Sequence, residues 1–172
     1  MDQKLLVNLA AALVPLVLGA IWYSPMLFGK ILMKANGNEN KPRMAGGQMA
    51  IAFVVTYSAS YLIASRVLGS IVIHQRGLFG MLADQPDMHT KGTDLYNAVH
   101  SLIDKSGYRF LTFKHGALHG GFTGLFLVAP VLTIIALFEP KSWIWVVIHS
   151  LYWIACLAIM GGIICQYMPY PG

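Results

Sequence analysis

Charge is scarce in this sequence. Asp, Glu, Lys and Arg make up 11% of its 172 residues, under half of the roughly 25% usual in soluble domains. So little charge excludes a disordered chain, a nucleic-acid-binding domain and most soluble enzymes. Cysteine is scarce too. Cys156 and Cys165 share one apolar run and fall on opposite faces of a helix at about 100° per residue, which excludes a disulfide between them. A Gly-x-Ser-x-Gly elbow, a P-loop, a Cys-x-x-Cys pair and paired carboxylates inside an apolar run are all missing. Their absence removes the common hydrolase, nucleotide and dithiol chemistries.

What the sequence has is hydrophobicity, at 56% of residues. A hydrocarbon core about 30 Å thick needs roughly 20 apolar residues in a helix. Four runs meet that length without an internal charge: 5–23, 44–65, 116–138 and 143–166. The expected fold is an all-α membrane protein of one domain, 1–172, with four transmembrane helices packed as a bundle. A basic turn from Lys30 to Arg43, broken at Asn36-Gly37, joins the first two runs. Phe138 to Ser142 is short enough to force an antiparallel helix hairpin. The long connection, 67–114, is predicted to leave the bilayer. Within it, Thr93-Asp94 reads as a helix start and Gly107 as a stop. Leu95, Val99, Leu102 and Ile103 would form the apolar stripe of a short amphipathic helix, lying on the membrane face or against the bundle.

The net charge of +5 is the ordinary excess of Lys and Arg flanking membrane spans. It points to the lipid bilayer as partner, not to nucleic acid. The turn at 30–43 with Lys141 holds five basic and two acidic residues, more densely than the other side. Basic residues in short loops weigh most, which places both termini outside the cytoplasm. Lipid tails give helices no hydrophobic reason to associate, so contact falls to small residues. Ala52, Thr56, Ser60 and Ala64 form such a face on the second span, Gly116, Gly120 and Gly124 on the third, and Ala158 and Gly162 on the fourth.

His115 and His119 stand one turn apart, so both imidazoles can reach one metal ion. Two ligands do not make a site. His74, His89 or His100 could complete it, though no spacing selects among them. The expectation is therefore no bound metal or cofactor, with the pair donating to carbonyls or water. His149 lies too deep to join His119, by about 18 Å along the helix axis, and is expected to hydrogen-bond to a neighbouring span. Trp22, Tyr23 and Pro25 close the first span as an interfacial anchor, and Trp143 and Trp145 do the same beside the hairpin turn.

Gly19-Ala20-Ile21-Trp22-Tyr23-Ser24-Pro25, followed by Leu27-Phe28-Gly29-Lys30, resembles the N-terminal signature of a bacterial membrane family catalogued as domain of unknown function 1761. Leu137-Phe138-Glu139, Ser142-Trp143, Tyr152 and Met160-Gly161 resemble its C-terminal half, and Phe113-Lys114-His115-Gly116 resembles one branch of it. The resemblance implies a small four-span protein of the bacterial inner membrane, with no established activity and no catalytic residues to carry over.

Three functions compete on these observations. The first is a non-enzymatic membrane protein, self-associating or acting as an accessory subunit of a larger membrane complex. The second is a small-solute transporter or channel, for which the spans offer only Thr56, Ser60, Thr123, Thr133 and His149 as polar groups. The third is a metal- or haem-binding membrane enzyme using His115 and His119. The absence of buried charge and of any catalytic motif favours the first.

Overall fold

Side-chain caps set most of the helix starts. In the computed structural model, which describes residues 2–36 and 45–169, Asp2 accepts the Lys4 backbone N–H at 3.0 Å. Thr93, Thr112 and Ser142 accept those of Tyr96, His115 and Trp145. Each satisfies a donor that the first helical turn leaves free. In chain order the helices are α1 (Gln3–Trp22), α2 (Gly29–Ala35), α3 (Gly46–Val72), α4 (Gln75–Met81), α5 (Asp94–Ser106), α6 (Phe113–Phe138) and α7 (Trp143–Tyr167). No strand occurs among the described residues. Four helices, α1, α3, α6 and α7, are long and apolar enough to cross a membrane.

The second span is longer than the sequence suggested. The run was ended at residue 65 because Arg66 follows, yet α3 continues through Arg66 to Val72. Leu68 and Val72 are buried against α1 and α7 residues such as Ala11, Leu157 and Ile164, so burial beyond the charge outweighs the charge itself. Arg66 is exposed, and its long stem lets the guanidinium reach toward the membrane surface. The connection between spans is correspondingly shorter, and α6 begins at Phe113 rather than 116. The first half of the expected 30–43 turn is helical, as α2, with Asn36 at its C-cap. Gly37 and the rest of that turn, to Met44, lie outside the described residues.

Two stretches of the long helices are π-helical, Ile63–Leu68 in α3 and Gly124–Val128 in α6. The second has a visible cause. Pro130 lacks an N–H and its ring crowds the carbonyl four residues earlier, and a wider turn just before it relieves that contact.

α7 is the centre of the molecule. It runs antiparallel to α1, with Gln3 Nε2 donating to the Tyr167 carbonyl at one end and Trp22 Nε1 to the Ile148 carbonyl at the other. Its contact with α6 is the most extensive between helices and is built on glycine. A Cβ on Gly120 would strike the Leu157 carbonyl, one on Gly116 the Gly161 carbonyl, and one on Gly124 would lie 2.6 Å from Ile154 Cα. Gly162 lies under the Phe113 ring, and Ala158 sits beside Gly120 and Gly121. On α3, Ser60 and Ala64 are buried while Ala52 and Thr56 are half-buried. Cys156 and Cys165 are both buried and unbridged, as a helix surrounded on several sides allows.

The connecting helix α5 starts after Thr93 and ends before Gly107. Its apolar face covers Met88, with Leu78, Phe79 and Leu82 alongside. Val99 and Ile103 are buried there and Leu95 joins them, but Leu102 is 54% exposed and leaves the stripe. Leu102 lies on the flank of that face, one position short of Ile103, and the small core has closed without it.

Candidate metal site

Three histidines meet where α3 ends and α6 begins. The α3 backbone leaves helical geometry at Ile73, with φ −109° and ψ 92°, and His74 follows at the start of α4. Its neighbours hold it there. Gln75 Nε2 donates to the Gly107 carbonyl, and the Arg76 guanidinium folds back over Gly69, where a Cβ would collide with it. Beneath the junction, the buried Cys165 sulfur lies 3.3 Å from the Phe110 carbonyl and 3.5 Å from that of Val72. One residue of α7 thus touches both segments that lead into the site. Burial lowers the Arg76 pKa, although an arginine remains charged throughout the accessible range.

His115 and His119 occupy the first turns of α6, the former capped by Thr112. His115 Nε2 lies 2.9 Å from His74 Nε2. The ring centroids of His74 lie 4.9 Å from those of both partners, and those of His115 and His119 lie 4.5 Å apart. One ligand nitrogen from each falls within 4.8 Å of the other two. Phe110 closes one side, its ring 5.1 Å from His115. His74 is exposed and the other two are half-buried, so the cluster opens at one end of the spans.

The donor set suits a borderline transition metal such as zinc, copper, iron or nickel. Two nitrogens bound tetrahedrally to zinc at about 2.0–2.1 Å stand roughly 3.3 Å apart. The 2.9 Å pair is a few tenths of an ångström closer than that, and the full set of three nitrogens lies within 4.8 Å. Three imidazoles also leave a fourth position open, the arrangement of catalytic rather than structural zinc.

The other histidines do not join this cluster. His89 is exposed, and His100 stacks on Tyr96 at 3.8 Å with Nδ1 at 2.9 Å from the Tyr96 carbonyl. His149 lies toward the opposite end, its Nδ1 2.8 Å from the Tyr23 hydroxyl. The pairing of Gly120 with Leu157 and Gly124 with Ile154 sets His149 level with about residue 129. Its separation from His119 is then about 15 Å rather than 18 Å, because the helices cross in a register about two residues from that of a simple hairpin.

The aromatic residues expected as anchors have further contacts. Trp22 and Tyr23 hydrogen-bond to α7, and the Trp145 ring lies 4.4 Å from that of His149, tilted by 50°. Trp143 and Pro25 are exposed. Tyr152, which spacing did not single out, donates to the Pro15 carbonyl at 2.7 Å.

This combination fits a class: an all-helical, four-span membrane protein with a histidine cluster at one end of its spans. The chain belongs to the family described as protein of unknown function (DUF1761), which matches residues 6–165. No curated protein and no solved structure matches it.

Proposed function

We propose that this is a four-span protein of the bacterial inner membrane, a bundle built around α7, that binds one transition-metal ion through His74, His115 and His119. The observation that carries the reading is the convergence of three imidazole nitrogens within 4.8 Å from two separate chain segments. The open fourth position would take water or a ligand oxygen. With the site on the side of the long connection, metal reaches it from the aqueous face without crossing the bilayer. The accessory-subunit reading loses ground because Gly116, Gly120, Gly124 and Ala158, which could have served a partner, are occupied within the chain.

The test is elemental analysis of protein purified without a histidine tag and reconstituted with zinc. About one ion per chain is expected. It should be lost in His74→Ala, His115→Ala and His119→Ala, and kept in His89→Ala and His149→Ala. Zinc uptake that is absent, or indifferent to His74→Ala, would overturn the reading.

A further inference from the structure

An apolar groove lies one helical turn from the histidine cluster. α3 and α6 make their main contact between Gly69–Val72 and Phe113–Thr123, beside the histidines. Beyond that contact Ile63 and Val67 on one side and Leu127 and Val128 on the other border a groove of about 240 Å³, floored by Trp153 of α7. Both π-helical stretches, Ile63–Leu68 and Gly124–Val128, contribute to these walls. Thr123 also lines the groove, and its hydroxyl donates to the His119 carbonyl at 2.9 Å. Thr123 stands one turn, about 6 Å, beyond His119 on the same helical face. Groove and cluster therefore lie one helical turn apart along the same seam between α3 and α6.

We infer that this seam binds a lipid with a single chain in the groove and an oxygen-bearing head at the histidine-bound metal. The inference rests on the metal reading and names the ligand class for that site. The groove lies within helices long and apolar enough to span a membrane, so its occupant arrives from the lipid phase. Its lining is apolar and offers the occupant no free hydrogen-bond donor, since the Thr123 hydroxyl proton is already given to the His119 carbonyl. Its volume equals about eight waters at roughly 30 Å³ each, which accommodates a stretch of hydrocarbon chain and no protein helix. At the cluster end, the open metal position accepts an oxygen. A long-chain carboxylate combines these two requirements in one molecule.

The experiment uses the full chain in phosphatidylcholine nanodiscs, loaded with Co²⁺, whose visible absorption reports its ligands. Palmitate is expected to change the cobalt spectrum at concentrations where acetate does not. Val67→Trp and Leu127→Trp, which fill the groove without touching the histidines, should each take up Co²⁺ normally and weaken the palmitate response about tenfold or more. Equal responses to palmitate and acetate, or unchanged palmitate responses in both cobalt-loaded variants, would overturn the inference and leave the metal reading standing. A wild-type protein that takes up no Co²⁺ would overturn the metal reading, and this inference with it.

Discussion

Nε2 of His115 lies 2.9 Å from Nε2 of His74, across 41 positions of sequence. A hydrogen bond between two imidazole nitrogens requires one to be unprotonated. Metal coordination requires it of all three histidines. The contact joins the end of one span to the start of another, and any metal bound there would compete with protons for the same nitrogens.

Zinc retention is expected to fall as pH drops through about 6.5, where free imidazole protonates. The direction follows from competition: protons bind the empty site and not the filled one, so acid favours the empty form. Equilibrium dialysis between pH 8 and pH 5 measures this. Retention that is flat across that interval would exclude the histidines as ligands.

The α6–α7 seam should discriminate between adjacent glycines. A Cβ at Gly120 would strike the Leu157 carbonyl, whereas one at Gly121 would meet only the Ala158 Cβ at 3.8 Å. Gly120→Ala should therefore destabilise by about 1–3 kcal/mol through forced separation of the helices. Gly121→Ala should be neutral or slightly stabilising, since alanine favours the helix by about 1 kcal/mol. Thermal unfolding in detergent, with the two variants compared side by side, checks the contrast. Gly120→Leu should be worse than Gly120→Ala.

Tyr152→Phe removes the hydroxyl that donates to the Pro15 carbonyl at a buried position. Hydrogen bonds between membrane helices average about 0.6 kcal/mol, and a loss near that figure is expected. Adding Tyr23→Phe, which removes the partner of His149, should cost less than the sum of the two, because coupling between the neighbouring hydroxyls is already lost in either single. The rings touch at 4.9 Å and so are coupled. Denaturation of both singles and the double in one detergent completes the cycle.

Single cysteines in a background lacking Cys156 and Cys165 should report the spans. Positions between 120 and 134 in α6 should resist a membrane-impermeant maleimide in a bilayer, while exposed positions from 83 to 87 should react rapidly. Position 68, which is fully buried in α3, should resist as well, although it lies beyond Arg66. Strong labelling at several positions between 120 and 134 would rule out α6 as a span.

Much of the fold was legible because the features that set it are local. The capping threonines at 93 and 112 and Ser142 act within one helical turn. The turn at Phe138 to Ser142 left no alternative to a hairpin. Arg66 misled because a charge ends an apolar run on paper, whereas helix continuation depends on what the following Leu68 and Val72 bury. A signal for His74 did exist. Continuation of the apolar run through Leu68 and Val72 sets His74 directly at the end of the second span, next to the start of the third.

The sequence by itself determined the number of candidate spans, their approximate positions and the hairpin joining the last two, because matching an apolar run to a hydrocarbon thickness needs only composition and helical rise. It also determined that His115 and His119 share a face. Only the tertiary structure decided that His74, rather than His89 or His100, completes the cluster, that the glycines of α6 seat on α7, and that an apolar groove opens between α3 and α6 one turn beyond His119. Hydrophobic partition sets how deep a helix lies but not its rotation or its neighbours. Those depend on close contacts between backbones, and a ligand set is defined by distance in space between residues that the chain keeps far apart.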